Sequence, residues 1–468
     1  MNIDLFSNLS PLDHRYRNTY PQLHNELGQY LDERAAIRYQ IQAELALLKT
    51  HMLRQGKSLE RIEQDLSGVE IAPEEVYREE EKTRHNIRAL VNVMVSKVPE
   101  TYRSYVHLGA TSMDIVDTAN AMRLRDAMQQ VVLPQLGRLQ KHLISLARRE
   151  AATPQVGRTH GQFAVPITFG FAITSYVSRL GQSLSKLQLL SSDLRGKLAG
   201  AVGGYNALSL ITKEPQEMER RYLEFLGLKP AEYSSQIVMP EYQLRLLLEL
   251  NISFGIIANL ADDLRHLQRS EIDEVREYFL ATQVGSSTMP QKRNPWNCEH
   301  VKSLWKAFAP RVLSFYMDQI SEHQRDLSNS ASARFVADFI AGFSFATERM
   351  DSIVAKLGVS HEQLQHNLQH LGDMILAEPL YILLSLGSVP DAHEVVRRLT
   401  LKREETARSL PELLKEEPEL QAIVEKQLAQ VGCSENFFSH PEQYLGRCEQ
   451  RSQELCRQYE NELKRLGL

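Results

Sequence analysis

Four cysteines in 468 residues, Cys298, Cys433, Cys448 and Cys456, show no CxxC spacing and no pairing pattern. A disulfide scaffold is excluded and no zinc ligand set is offered, which fits a reducing compartment. An excess of one charge is missing too: 54 basic residues face 59 acidic ones, for a net charge of −5. No global field exists to gather nucleic acid or an anionic membrane, so any anion must be gripped locally. Aromatic residues make up only 7% of the chain and are not interleaved with basic ones. The most apolar stretch, 374–389, is interrupted by Glu378 and Pro379, so no membrane span is read. The first ten residues carry Asp4 and lack a basic start followed by an apolar run, so no secretory signal is read. A cytoplasmic protein is expected. Nucleotide-fold motifs are absent as well: there is no GxGxxG, and Gly56-Lys57-Ser58 lacks the upstream glycine of a phosphate loop. His361-Glu362 opens like a zinc-protease helix, but the next histidine is His366, roughly 140° away around the helix. No metal site is expected there.

What the chain does have is apolar content, 43% of its residues, with few Gly and Pro for its length. That is the composition of a helical protein, and the length calls for two or three domains. Within 117–149, Val132, Leu136, Leu139, Leu143 and Leu146 step by 4, 3, 4, 3, the spacing of a stripe packed on another helix. Pro134 inside the stripe should kink this helix rather than end it. Ile173, Val177, Leu180, Leu184 and Leu187 repeat the pattern. So do Ile257, Leu260, Leu264 and Leu267, in a segment expected to run from Pro240 to Phe279, roughly 60 Å. Helices with such seams need a bundle and further subunits. The expectation is an all-α fold of three helical domains, 1–106, 107–360 and 361–468, the middle one a long-helix bundle that builds a multi-subunit core. No strand alternation of useful length is visible.

Five polar stretches interrupt the helical pattern. Gly285-Ser286-Ser287-Thr288-Met289-Pro290-Gln291-Lys292-Arg293-Asn294-Pro295 combines backbone freedom with two hydroxyls, a lysine and an asparagine. Such a set binds a carboxylate and takes a proton, though Ser, Thr, Asn and Pro are also ordinary loop residues. In Gly157-Arg158-Thr159-His160-Gly161-Gln162 an imidazole sits in a glycine-rich turn, fit for proton transfer near neutral pH or simply a surface histidine. Thr111 and Ser112, within His107 to Asp114, open a helix as an anion site or as plain N-caps. Gln324-Arg325-Asp326-Leu327-Ser328-Asn329-Ser330, followed by Arg334, suits phosphate or carboxylate, unless Asp326 neutralises its neighbour. Ser10-Pro11-Leu12-Asp13-His14-Arg15-Tyr16 is rich in donors.

The serine-rich stretch resembles the G-S-S-x-M-P-x-K-x-N-P signature of the fumarase/aspartase superfamily, matched at every fixed position. S-P-L-D-x-R-Y, T-S-x-D with D-T-A behind it, R-T-H-G-Q, G-x-Y-N-A, the Gln236 segment and Q-R-D-L-x-x-S follow in the order of the adenylosuccinate lyase family, from Ser10 to about Arg334. The resemblance implies release of fumarate from adenylosuccinate and from the succinylated aminoimidazole carboxamide ribotide. It implies Ser286 as general base, His160 as general acid and His85 as a second active-site histidine. Lys292, Asn294, Thr111 and Ser112 would hold the carboxylates and Gln236 the middle of the substrate. Arg15, Tyr16, Arg325, Ser330 and Arg334 would hold phosphate and ribose. The resemblance also implies a homotetramer whose active sites are shared between subunits, with no metal or organic cofactor.

Departures from the family pattern are Asn86, where an Asp usually follows the second histidine, and Met113 and Phe163. Beyond Ser360 the likeness transfers no residue. Two alternatives stand beside the leading reading. One is another fumarate-releasing lyase acting on argininosuccinate, aspartate or malate, for which the arginines at 15, 325 and 334 would have little use. The other is a non-catalytic relative of the fold, against which Ser286, His160 and Lys292 together argue.

Overall fold

The apolar stripes do what their spacing requires. In a computed structural model, which describes residues 8–279, 288–289, 291–370, 372–434 and 436–468, all five members of each of the first two stripes are buried. The elements that position the site, in chain order, are α1 (Glu33–Arg54), α2 (Asn86–Lys97), α3 (Ser112–Ala127) and α4 (Leu133–Arg149). A hairpin of β1 (Pro154–Thr159) and β2 (Gln162–Thr168) comes next. It is followed by α5 (Phe169–Ser192), α6 (Glu241–Leu267), α7 (Trp296–Phe308), α8 (Val336–Ala355), α9 (His361–His370) and α10 (Cys448–Leu466). The fold is all-α, with three two-stranded ribbons at the helix breaks among the described residues.

Between α3 and α4 the chain stays helical but adopts π-helical register over Met128–Val132, just ahead of Pro134. The wider turn absorbs the missing N–H and the ring of the proline, so the helix continues as its stripe demands. α6 is shorter than its pattern suggested, 27 residues or roughly 40 Å, and ends at Leu267 rather than Phe279. Beyond it the chain turns through Asp273, in left-handed conformation at φ 47°, and Val275–Arg276 pairs with Gly358–Val359. The physical reason is Glu274: its carboxylate is fully buried and takes its donors from β1 and α9, which a continuing α6 would not allow. By length and composition α6 is also apolar enough to cross a membrane, a feature the sequence reading passed over. Two-thirds of its apolar window is buried in this structure, as in the core helix of a bundle.

The hairpin at 154–168 is likewise a strand pair where no strand was expected. Its turn is the two residues His160 and Gly161, at φ 55° and 75°, between the paired Thr159 and Gln162. Two successive positive φ angles make a type I′ turn, whose twist matches that of the strands. Gly157 lies at a register shift between Val156 and Arg158, and a Cβ there would meet the Val165 carbonyl oxygen at 2.5 Å.

One large core joins α1 through α8, and Cys456, Tyr459 and Leu463 of α10 belong to it. A separate core is built from residues within 376–444, among them Leu380, Leu384, Leu399, Leu410 and Phe437. The chain thus leaves the bundle, forms this smaller unit and returns as α10 against α4 and α5. The fit is close: an added Cβ at Gly181 would lie 2.2 Å from the Tyr459 ring. Gly181→Ala is therefore expected to destabilise the protein by about 1–3 kcal/mol, overpacking outweighing the helix propensity gained. Adding Tyr459→Ala should recover part of the loss, measured by urea unfolding of the single and double variants.

Candidate functional site

The breaks ahead of α3, at the hairpin and ahead of α7 are each tied to another segment by a buried carboxylate. Asp114, in the first turn of α3, accepts the N–H of Thr111 at 2.8 Å, of Ala199 at 3.1 Å and of Gly200 at 3.2 Å. It also forms an ion pair with the ammonium of Lys197, both side chains being fully buried. The pair fixes the start of α3 against the 197–200 turn. Thr111 and Ser112, half-buried at that start, are thus both N-terminal residues of a helix and members of a rigid polar junction. One turn further, Asp117 accepts the Val238 N–H at 2.8 Å, and the Gln236 N–H donates to the Gln324 carbonyl at 3.4 Å. The structure therefore brings together the stretches of Thr111 and Ser112, of Gln236 and of Arg325, three that are remote in sequence.

Arg325 does not pair with Asp326. The Asp326 carboxylate instead accepts the Ser328 N–H at 2.8 Å, the Ser328 hydroxyl at 2.5 Å and the Glu322 N–H at 3.1 Å. It shapes the turn and leaves the guanidinium to other uses. Ser330 and Arg334 are exposed on the same stretch, and the charge of Arg334 reaches Tyr77, on the helix that leads to His85. His85 is the exposed N-cap of α2, its Nδ1 accepting the Arg88 N–H at 3.3 Å, which places its remaining proton on Nε2. The neighbouring Asn86 caps itself, its Oδ1 accepting the Ile87 N–H at 2.8 Å.

His160 stands exposed at the hairpin tip, and the hairpin is held from below. Arg158 donates to both carboxylate oxygens of Glu274, at 2.6 and 3.2 Å. Gln155 and Asn367 add donors at 2.7 and 2.9 Å, and Phe163 stacks on the Arg158 guanidinium. The R-T-H spacing thus supplies an anchor two residues before the exposed imidazole. Among the described residues, no hydrogen bond links the His160 ring to any other candidate. His361 bonds to Glu150, which it helps to hold below the usual carboxylate range against the opposing effect of burial.

Ser286, together with Gly285, Ser287 and Pro290, lies outside the described residues. Lys292 is exposed and Asn294 half-buried on the chain that follows. The chain on either side of this stretch is tied by Glu277, whose carboxylate accepts the Cys298 N–H at 2.7 Å and two Asn297 donors at 3.2 and 2.8 Å, capping α7. Gln268 bridges the same two sides, accepting the Glu277 N–H and donating to the Arg293 carbonyl. α7 in turn meets the N-terminal candidates. Tyr16 shares a 3.1 Å hydrogen bond with His300 and stacks on Phe345, while Arg15 stays exposed. Burial raises the Tyr16 hydroxyl pKa, with Arg349 opposing it, so the phenol is a donor at neutral pH.

With this geometry in view, the comparisons are decisive for ancestry. The sequence pattern of the Lyase family matches residues 14–307, and that of the adenylosuccinate lyase C-terminal region matches 321–436. The adenylosuccinate lyase of Pyrococcus horikoshii is 32% identical over 98% of this chain and 99% of its own length. The chain belongs to the adenylosuccinate lyase family. The family's enzyme from Archaeoglobus fulgidus is likewise 32% identical, over 97% and 99% of the two chains. The C-terminal match extends the family likeness past Ser360, where the motifs had stopped. Two solved structures share the fold at a TM-score of 0.78. One is a fumarate lyase from Mesorhizobium sp. BNC1, 21% identical over 92% of this chain and 97% of that one. The other is a 3-carboxy-cis,cis-muconate lactonizing enzyme from Pseudomonas putida, 22% identical over 96% and 100%. One fold thus carries different reactions, and the choice rests on site residues.

Sequence reasoning had named His160 and Thr111 but not the groups beneath them: Glu274, Asn367, Asp114 with Lys197, and Glu277. Their signal was the charged member of each motif, Arg158 in R-T-H and Asp114 in T-S-x-D, a cation and an acid beside the exposed group. Replacing Glu274 with Gln leaves Arg158 facing a neutral partner in a buried setting, which is expected to cost about 3 kcal/mol. A thermal midpoint unchanged from wild type would contradict the anchoring role.

Proposed function

We propose that this protein is a lyase that eliminates fumarate from adenylosuccinate, giving AMP, and from succinylaminoimidazolecarboxamide ribotide, giving the free carboxamide. The observation that carries the reading is the end-to-end match with proteins named adenylosuccinate lyase. The retention of His160, Lys292, Arg325 and Arg334 at the matching motifs adds to it.

The reaction requires removal of a weakly acidic proton beside a carboxylate, so the intermediate is a dianionic aci-carboxylate that several donors must hold at once. Each aimed donor supplies a factor of about 10² to 10³, and a positioned acid or base about 10² to 10⁴. Ser286 is assigned as the base, with the Lys292 ammonium lowering the cost of its alkoxide. Asn294, Thr111 and Ser112 receive the fumarate carboxylates, helped by the N-terminus of α3. His160 protonates the departing nitrogen, and its seat on a short, anchored hairpin fits a group that must meet one atom. His85, whose Nδ1 is taken up by the Arg88 N–H, donates to the substrate through Nε2. Gln236 contacts the middle of the substrate. Arg15, Tyr16, Arg325, Ser330 and Arg334 take phosphate and ribose, Arg325 being spared by the turn-forming role of Asp326.

In this reading the protein is a cytoplasmic homotetramer whose active sites are each shared between subunits. The exposure of His160 at the hairpin tip is in keeping with that arrangement. So is the run of exposed apolar side chains at Leu313, Tyr316, Met317 and Ile320. The proposed units are 1–106, 107–360 and 361–468, of which the first two share one core and the third sends α10 back to it.

Purified protein offered adenylosuccinate, argininosuccinate, aspartate and malate in parallel should release fumarate from the first alone. Release only from another of them would overturn the phosphate assignment. With adenylosuccinate, His160→Gln and Ser286→Ala should each lower kcat by about 10² to 10⁴. A Ser286→Ala enzyme with full activity would remove the serine from the role of base.

A further inference from the structure

Two carboxylates stand three residues apart on the first turns of α3, and the structure treats them differently. Asp114 is served by three backbone N–H groups and the Lys197 ammonium. Asp117, half-buried, has the Val238 N–H as its one hydrogen bond among the described residues, and no cation lies within 4.0 Å of it. The charged groups that face it are Lys197 and Asp114, already committed to each other, and Arg325 from the 322–330 turn. The Nε of Arg325 is itself buried without a partner. The same turn is joined to the Val238 segment through the Gln236 to Gln324 bond. Asp117 is thus where α3, the Gln236 segment and the Arg325 turn converge.

An acid so thinly served is expensive to keep. Enclosure by the protein pushes its carboxyl up to about 6, with Val238, Lys197 and Arg325 only partly offsetting the effect. Were folding its sole purpose, asparagine would accept the same N–H with no charge to desolvate. What asparagine lacks is the negative charge, which makes the bond to Val238 about twice as strong and gives the Arg325 guanidinium a counter-charge.

We propose that Asp117 is a positioning residue for substrate: its charge draws the Gln236 segment and the Arg325 guanidinium onto the N-terminal end of α3, so that both reach the substrate together. The inference rests on the reading that Gln236 and Arg325 contact the substrate. The group is charged above about pH 6 and becomes neutral as pH falls through that value, so the positioning is present at neutral pH and lost in acid. Stability moves the opposite way: the cost of the buried charge is felt above pH 6 and relieved below it.

The test is the pH dependence of kcat and KM for adenylosuccinate, with thermal midpoints, for wild type, Asp117→Asn and Asp117→Glu. Near neutral pH, Asp117→Asn should raise KM about tenfold, change kcat less than about threefold and leave the midpoint equal or higher. The wild-type KM should climb as pH drops below about 6, a limb absent from Asp117→Asn and kept by Asp117→Glu. An unchanged KM in Asp117→Asn overturns the proposal. So does the same acid limb in that variant, which would assign the limb to the substrate phosphate or another group. An Asp117→Asn protein that fails to fold also overturns it, because the residue would then be structural. Wild-type protein inactive on adenylosuccinate would instead remove the functional reading on which the proposal rests.

Discussion

A carboxylate removed from water must find its donors in the protein, and the donors it finds decide which pieces of chain lie together. Glu274 collects a guanidinium and two amides from β1 and α9, and in doing so ends α6, seats the hairpin and aims its tip. Asp114 and Glu277 act in the same way at the starts of α3 and α7. Leaving any of these acids without its partners would expose the full penalty of a buried charge, larger than most single packing changes. The long helices therefore supply bulk and rigidity, while the acids at their ends fix the irregular segments that carry chemistry.

This division explains what was legible in the sequence. The stripes at 132–146 and 173–187 were readable because a helix buries its side chains with a fixed period, and Pro134 was readable because proline acts locally. The early end of α6 was not: the apolar spacing fades slowly, whereas the cause is a single acid whose donors come from residues 155, 158 and 367. The hairpin escaped notice because its strands are short, Pro166 and Gly157 interrupt their alternation, and its turn uses His160 in a conformation more common for asparagine or glycine. The return of α10 to α4 and α5 had no local signal at all, since the smaller unit lies between them in sequence.

The candidate residues divide along the same line. Those presented to solvent by a motif, such as His160, His85, Lys292 and Arg334, could be named from chemistry and family likeness. Those acting from beneath, such as Glu274, Lys197 and Asp117, resemble ordinary charged residues until their surroundings are known. Polar and accessible, the first group is the one a sequence pattern can display. Enclosed by the fold, the second group fixes where the segments carrying the first one lie.

The route of the chain through its smaller core has a mechanical consequence. Residues 376–444 are bounded by α9 on one side and α10 on the other, so both ends of that unit run into helices packed on the bundle. Ile375, where the chain enters that core, packs with Val156 and Phe163 of the hairpin, so the seat of His160 leans on the smaller unit as well as on the bundle.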